Sequence, residues 1–231
     1  MNILRVYYFV SANYALENII KRRLKIARLD DLNDPFEFMC IDMRDSDIRK
    51  AFRDTLSDLA GKKGVICFSR AWHNPVLWSH YADKHKGVCL GFDIPEETAI
   101  TVGYEPERLK IVKKRDLIAG EIDEKTMRRI LSTKFEDWRY EDEVRVFVGL
   151  EEPDTKSGLY YKDFGTDLSL KEVIIGPRCH FSVSDFNNVL TKYNGEVRVI
   201  PSRLAFGTFN VIERKVILKK KIKRKIKIKR A

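Results

Sequence analysis

Three acidic residues, Glu141-Asp142-Glu143, stand immediately before an apolar segment. In residues 144–148 valine alternates with other residue types, and this period of two predicts a β-strand. Because side chains alternate along a strand, Glu141 and Glu143 are predicted to share one face, about 7 Å apart. One carboxylate of such a pair can orient a hydroxyl or take its proton while the other stabilises a developing positive charge. The alternative is a solvated strand edge, with Arg145 as the partner of the acids.

Two neighbouring features favour a binding cleft around these acids. Trp138 and Tyr140 precede the strand and add aromatic surface of the kind that lines ligand clefts. Further upstream, Asn33-Asp34-Pro35-Phe36-Glu37 is either ordinary turn chemistry or a loop that folds over a ligand.

Residues 65–92 concentrate the other chemically versatile side chains, including three of the four histidines. A zinc site there is one alternative, but His80 and His85 are five residues apart, which takes them off one helical face. No metal is therefore expected. A nucleophilic thiol at Cys67 or Cys89 is another alternative, although both lie in apolar runs, where a thiol is usually inert.

The pattern of this segment predicts a strand, a helix and a second strand. Residues 65–69 form the first strand, and Asn74 caps a helix that starts at Pro75 and stops at Gly87, before a strand at 87–92. Further strands are predicted at 5–10, 24–27, 170–175 and 197–200, and further helices after Ser11 and at 48–59, 124–134 and 186–193, with Ser184 as the last N-cap. This mixture, without strict βαβ order, predicts an α+β fold with a mostly antiparallel sheet flanked by helices.

The formal net charge of +10 is concentrated at the C-terminus. Residues 214–230 contain 11 Lys or Arg and no acid, and the remaining chain has 33 basic and 34 acidic residues. We therefore predict a single globular domain at 1–213 and a basic tail at 214–231. The tail is either a solvated extension or a segment attracted to nucleic acid or anionic lipid.

The remaining composition is typical of a cytoplasmic protein. No run of about 18 apolar residues predicts a transmembrane segment, and residues 1–10 lack the long apolar core of a signal peptide. The four cysteines are scattered, which indicates reduced thiols rather than a disulfide framework.

Four motifs together resemble an uncharacterised bacterial family, domain-of-unknown-function family 2971. The resemblance covers residues 4–200, and its motifs are Asn33-Asp34-Pro35-Phe36-Glu37, Cys67-Phe68-Ser69, Leu77-Trp78-Ser79-His80-Tyr81-Ala82 with His85-Lys86-Gly87, and Trp138 with Tyr140-Glu141-Asp142-Glu143-Val144-Arg145. The name of that family implies no activity.

The order of elements also resembles the ADP-ribosyltransferase fold of DNA-modifying toxins, which is built on a split sheet. By this resemblance Glu143, before an apolar strand, is the catalytic acid, and Glu141 orients or deprotonates the acceptor. Tyr8 stands on the first strand where those toxins carry His or Arg. The resemblance implies that Tyr8 and Trp78 stack on the nicotinamide or adenine of NAD and that Ser69 hydrogen-bonds the amide. We add Asn33, in the candidate ligand loop, to the NAD-binding residues.

The function implied is an ADP-ribosyltransferase-like effector that uses NAD as a substrate, such as a toxin or a phage-defence protein modifying nucleic acid or protein. Two alternatives remain open. One is a non-catalytic nucleic-acid-binding module recruited through the tail at 214–231, and the other is a metal-dependent nuclease built on Glu141 and Glu143.

Overall fold

The structure is a computed structural model that describes residues 2–110, 115, 119, 122–193 and 195–215. Its helices are α1 (Ala12–Lys21), α2 (Ser46–Ala60), α3 (Pro75–Tyr81), α4 (Glu124–Leu131) and α5 (Val183–Leu190). Its strands are β1 (Ile3–Val10), β2 (Arg23–Arg28), β3 (Lys63–Ser69), β4 (Val88–Pro95), β5 (Ile100–Thr101), β6 (Gly103–Glu105), β7 (Thr133–Phe135), β8 (Glu143–Gly149), β9 (Tyr160–Asp163), β10 (Ser169–Ile175), β11 (Arg198–Leu204) and β12 (Val211–Glu213). The α+β class is confirmed. Within the described ranges, no helix has both the length and the apolar character that crossing a bilayer requires.

One curled sheet contains ten of these strands. Its order is β12-β11-β10-β4-β1-β3-β2-β9, with β8 paired to β3 and β5 paired to β8. The sheet is mixed rather than mostly antiparallel as predicted, because β10 and β11 run parallel within it. Helix α5 joins these two strands, and a helical crossover returns the chain to the same end of the sheet, which makes the pair parallel. Strands β6 and β7 form a separate parallel pair.

The two faces of the sheet are covered by different helices. Helices α1 and α5 pack together over the largest apolar cluster, which includes Leu90, Phe92 and Phe186. Helix α3 packs on β1, on the opposite face, over a smaller cluster that contains Trp78. A third cluster, beside α2, is built around Phe38. The side chains of β1 that face α3 therefore pack with this smaller cluster.

Two predicted helices end earlier than expected. Helix α3 was predicted to continue to Gly87, but it stops at Tyr81 because Asp83, Lys84 and His85 take left-handed conformations, with φ of 43°, 54° and 70°. Helix α4 was predicted to reach residue 134, but it ends at Leu131 because the next residues form β7 and pair with β6.

The last helix begins earlier than predicted. The N-cap of α5 is Ser182 rather than Ser184. The Ser182 hydroxyl accepts from the Asp185 backbone N–H, and the Asp185 carboxylate accepts from the Ser182 N–H, which completes a capping box. Of the predicted basic tail at 214–231, only Arg214 and Lys215 lie inside the described residues.

Candidate functional site

A cleft of about 220 Å³ opens between the α3 face of the sheet and a group of buried charges. Its walls come from β1, β2, β3 and α3, and charged side chains lie at one side. The lining residues are Tyr7, Tyr8, Phe9, Lys25, Ala27, Leu32, Asn33, Glu37, Val65, Ile66, Cys67, Phe68, Ser69, Leu77, Tyr81, Lys134, Glu141 and Glu143. An apolar cleft with a few convergent polar groups is the usual form of a small-molecule site.

Five charged side chains form the buried charge cluster beside the cleft. Its members are the three carboxylates and two cations of Glu37, Lys134, Glu141, Glu143 and Arg145. All five side chains are less than a tenth exposed, and Arg145 is fully buried. Charges are seldom buried without partners, and these five are partnered by one another. The cluster carries one more negative than positive charge.

Lys134 on β7 joins the three acids. Its Nζ lies 2.7 Å from Glu141 Oε2, 3.3 Å from Glu143 Oε2 and 3.4 Å from Glu37 Oε2. The ammonium also lies 4.7 Å from the ring centroid of Trp138, which adds a cation–π contact. Although burial alone would lower the pKa of Lys134, the three carboxylates raise it above its usual value. Lys134 therefore stays protonated.

Glu143 is held as an ion at the first position of β8. Arg145 donates from Nε to Glu143 Oε1 at 2.8 Å and from a second guanidinium nitrogen to Oε2 at 3.1 Å. Arg145 also bonds Glu37 and donates to the Leu131 carbonyl at 2.7 Å. Burial alone would raise the pKa of Glu143, but Arg145 and Lys134 lower it to about 2. This carboxylate is ionised at neutral pH.

Glu141 has the opposite electrostatic character. Burial raises the pKa of its carboxyl above the usual value, and the opposing effects of Lys134 and Tyr81 only partly offset it. The Tyr81 hydroxyl donates to Glu141 Oε1 at 2.5 Å. Two carboxyls whose pKa values are pushed apart in one site are the usual arrangement for an acid–base group beside a charge stabiliser.

Three adjacent strands bring Tyr7, Ser69 and Glu143 into one row. Tyr7 on β1 is the register partner of Ser69 on β3, and Ser69 is the partner of Glu143 on β8. Directly opposed residues in a sheet project from the same face, so the three side chains share the side that faces the cleft. The predicted residues Ser69 and Glu143 are thus brought together, with Tyr7 as their neighbour.

Trp78 lies in the protein core, whereas Tyr8 is half-buried at the edge of the cleft. Tyr8 projects from β1 opposite to Tyr7 and packs edge-to-face on Phe68, with ring centroids 6.1 Å apart. Burial raises the pKa of Tyr8 to about 12. Trp78 has no exposed surface, donates from its indole to the Trp72 carbonyl at 2.6 Å and contacts Phe9 edge-to-face. Stacking of Trp78 on a ligand requires this side chain to move.

Ser69 and Asn33 lie at the cleft with their polar groups engaged locally. The Ser69 hydroxyl donates to the Ala71 carbonyl at 2.9 Å, within the turn that follows β3. Asn33 donates from its amide to the Tyr81 hydroxyl at 3.4 Å. Because Tyr81 in turn bonds Glu141, a chain of hydrogen bonds runs from the Asn33 loop to the acid. The loop at 33–37 therefore contributes to the site at both ends, through Asn33 and Glu37.

The predicted geometry of the acidic pair needs two corrections. Glu141 ends a short 3₁₀ turn rather than lying on the strand, because Asp142 takes a left-handed conformation with φ of 44°. The two acids meet through Lys134 instead of through strand periodicity. The alternative of a solvated strand edge is wrong, since Glu141 and Glu143 are only 5% and 4% exposed. Arg145 is the partner of Glu143, as that alternative proposed, but the pair is buried.

Sequence reasoning missed Lys134 and Tyr81 as members of the site. Lys134 was placed at the end of a helix, where lysine is usually solvated, and nothing in its neighbours marks it as buried. Tyr81 was read only as part of the apolar face of α3. The available signal for Tyr81 was the motif at 77–82 that contains it, whereas Lys134 lies outside all four motifs.

In the described part of the chain, no side chains are arranged as a metal site, and neither Cys67 nor Cys89 is arranged as a nucleophile. There, no set of three or more His, Cys, Asp or Glu side chains is placed to hold a metal ion. Cys89 is buried and Cys67 is half-buried at the cleft, and desolvation raises the pKa of both thiols well above the usual value. A thiolate nucleophile is thereby disfavoured at either position.

Comparison with known protein families gives a match over part of the chain. Residues 77–146 match the family model described as "Protein of unknown function (DUF2971)". The resemblance to domain-of-unknown-function family 2971 is confirmed over these residues, and the motifs at 33–37 and 67–69 lie outside the matched segment. The matched segment runs from α3 to β8 and includes Tyr81, Lys134, Glu141, Glu143 and Arg145. No curated protein and no solved structure matches the chain significantly.

Proposed function

We propose that this protein is an ADP-ribosyltransferase-like effector that uses NAD as its substrate. The observation that carries the proposal is the row of Tyr7, Ser69 and Glu143 across β1, β3 and β8, with Glu141 beside it in one cleft. The row gives the cleft an aromatic ring, a hydroxyl and an ionised carboxylate from adjacent strands. This is the combination that holding and breaking a nicotinamide–ribose bond requires.

The electrostatics of the cleft suit a developing cation. Loss of nicotinamide from NAD leaves positive charge on the ribose C1 and ring oxygen. Glu143 remains ionised, and the three carboxylates of the buried charge cluster outnumber its two cations. Preorganised negative charge in a buried site stabilises such a transition state more than water does.

The proposed reaction breaks one bond and forms another, and the two acids assist these steps. The C–N bond between ribose and nicotinamide breaks, and its electron pair neutralises the pyridinium nitrogen, so that nicotinamide leaves uncharged. A hydroxyl, amine or water of the acceptor then forms the new bond to C1. Glu141, with its raised pKa and its hydrogen bond to Tyr81, takes the proton that the acceptor gives up.

The size of the cleft limits what it encloses. At about 220 Å³ it is smaller than most ligand pockets, so the reacting nicotinamide end of the dinucleotide lies inside while the adenosine end lies outside. In this proposal the Ser69 hydroxyl exchanges its bond to the Ala71 carbonyl for one to the nicotinamide amide, and the rings of Tyr7 and Tyr81 provide flat apolar contact. In this proposal Tyr7 takes over the stacking role that the sequence assigned to Tyr8.

The proposal also includes the fold type, the acceptor and the cellular role of the protein. In this proposal the curled sheet corresponds to the split sheet of ADP-ribosyltransferases. The acceptor is nucleic acid or protein in the cytoplasm, which fits a toxin or a phage-defence protein.

The proposal is tested by incubating the purified chain with NAD alone and with DNA, RNA or mixed proteins. Release of free nicotinamide, together with transfer of label from adenine-labelled NAD to one acceptor class, is the expected result. Release of nicotinamide in the absence of any acceptor would identify water as the nucleophile, and the proposed cleavage of NAD would still hold. Absence of nicotinamide under every condition, with no change in thermal stability on adding NAD, would remove NAD as the substrate.

A further inference from the structure

The loop between β11 and β12, residues 205–210, presents two large apolar side chains to solvent. Phe206 is 97% exposed and Phe209 is 96% exposed, so almost the whole surface of both side chains is open to solvent. Leu204, at the end of β11, is also more than half exposed. Soluble proteins rarely leave neighbouring aromatic rings uncovered unless the surface binds something.

The loop is held firmly at its base. Ala205 donates from its backbone N–H to the Asn210 carbonyl at 2.9 Å, which closes the loop. Val211 donates to the His73 carbonyl at 2.9 Å, and its own carbonyl lies 2.9 Å from His73 Nδ1. Val211 itself is fully buried. The exposed rings thus project from an anchored hairpin.

The sequence of the loop and its immediate flanks carries only positive charge. No acidic residue occurs from 199 to 212, and the Arg203 guanidinium lies 4.8 Å from the ring centroid of Phe206. The next acid, Glu213, is paired with Arg198 at 2.8 Å. From Arg214 onward the sequence contains 11 Lys or Arg up to residue 230 and no acid. A surface that binds this region must accept apolar rings and many cations together.

The basic segment follows the loop closely in the sequence. It begins five residues after Phe209 and contains 17 residues. The segment also carries six aliphatic residues, Val216, Ile217, Leu218, Ile222, Ile226 and Ile228. A nucleic acid would use its cations and leave these apolar side chains in water, whereas a bilayer interface accommodates both.

We propose that the β11–β12 loop and residues 214–230 together bind the surface of an anionic lipid bilayer. Phe206 and Phe209 insert among the acyl chains near the headgroups, while the Lys and Arg side chains bind the anionic headgroups. Stable membrane attachment usually needs two such signals, and the chain places them side by side. This binding is independent of the proposed NAD chemistry.

The test uses the full chain and two kinds of vesicle, pure phosphatidylcholine and equal parts phosphatidylcholine and phosphatidylserine. Co-sedimentation is measured for wild type, F206S/F209S, and a tail variant with K219Q, K221Q, K223Q and K225Q. Ile20 on α1 is 63% exposed and far from the loop in sequence, so I20S is the matched control for loss of an exposed apolar side chain. Sedimentation velocity without lipid and binding to duplex DNA are measured in parallel.

We expect the wild type and I20S to bind the anionic vesicles and to bind pure phosphatidylcholine much more weakly. F206S/F209S loses roughly a hundredfold of the affinity, since each of the two rings contributes about tenfold when it leaves water. The tail variant also binds more weakly, and added salt lowers the affinity of the wild type. F206W should show a blue shift of emission with anionic vesicles beyond any shift of the wild type.

Several results would overturn the proposal. One is the absence of binding to the anionic vesicles, and another is equal binding by F206S/F209S and the wild type. A dimer of the wild type that F206S/F209S abolishes would assign the rings to a second copy of the chain. Binding to DNA that needs both phenylalanines would assign them to nucleic acid. None of these outcomes depends on nicotinamide release.

Discussion

Replacing Lys134 by methionine tests whether the buried charge cluster depends on its central cation. Lys134 contacts all three carboxylates of the cluster, and its side chain is 6% exposed. In K134M, three buried acids share one cation, Arg145. Removing one partner of a buried ion pair costs about 3–5 kcal/mol, because the remaining charge stays desolvated. We therefore expect K134M to lose about 4 kcal/mol of unfolding free energy.

Urea denaturation at pH 7, followed by circular dichroism, measures this loss. At a urea m value of about 2.5 kcal/mol/M, the midpoint should fall by about 1.5 M. The matched control is K62M, because Lys62 pairs with Asp58 at the surface, where both side chains are more than two-thirds exposed. Surface pairs contribute at most about 1 kcal/mol, so K62M should stay close to the wild type.

A double variant separates charge from packing. K134M/E141Q carries two carboxylates against Arg145, the same surplus of one negative charge as the wild type. It should recover about 2 kcal/mol relative to K134M if unpaired negative charge causes the loss. The deficit of K134M should also shrink as the pH falls below about 5, because its unpaired buried acids then take up protons. A K134M variant within 1 kcal/mol of the wild type, or no recovery in K134M/E141Q, would refute this account.

Three further predictions concern individual groups of the site. Y81F should shift the acidic limb of the activity–pH profile to higher pH, because the Tyr81 hydrogen bond lowers the pKa of Glu141; the profile of nicotinamide release measures this. The pKa of Glu143 lies at about 2 against a usual 4.5, so its contribution of about 3 kcal/mol is complete above pH 4.5 and is lost as the pH falls toward 2. Unfolding free energies between pH 2 and 6 should show this slope, and E143Q should show less of it. Cys67 and Cys89 should resist iodoacetamide at pH 8 in the folded protein, since burial raises their pKa, and mass spectrometry of tryptic peptides reports the labelling.

Each of these expectations can fail in a definite way. An unchanged pH profile in Y81F would mean that Glu141 is not the group that sets the acidic limb. Equal acid sensitivity in the wild type and E143Q would mean that Glu143 is not held as an ion by Arg145 and Lys134. Labelling of Cys67 as fast as that of the unfolded chain would show that β3 opens readily.

The sequence predicted the regular elements well because their signals are local. The apolar runs that became β1, β3, β4 and β10 and the periodic faces of α1 and α2 are all present. The errors fall where contacts between residues distant in sequence determine the local structure. The left-handed residues Asp83 to His85 end α3 early, and pairing with β6 converts the expected end of α4 into β7. Neither result is visible in the periodicity of the segment concerned.

The candidate site was predicted in part for the same reason. Glu141 and Glu143 were chosen from their spacing, and both lie at the cleft, but their meeting depends on Lys134 and on the turn at Asp142. Tyr8 lies on β1 next to Tyr7, and Tyr7 rather than Tyr8 is the register partner of Ser69. A shift of one residue moves a side chain to the other face of a sheet, and only the register between β1 and β3 fixes it.

The measurement that tests the central claim most directly is the rate of nicotinamide release by the wild type, E143Q, E141Q and D142N. Asp142 lies between the two acids but is mostly exposed, and asparagine tolerates its left-handed backbone, so D142N is the matched control. E141Q removes the surplus negative charge of the cluster and should fold at least as stably as the wild type. The account predicts a fall in kcat of about 10²–10³ for E143Q with little change in KM for NAD, a smaller fall for E141Q, and near-normal turnover for D142N. Equal rates for folded E143Q and the wild type would contradict the assignment of Glu143 as the stabiliser of the developing cation.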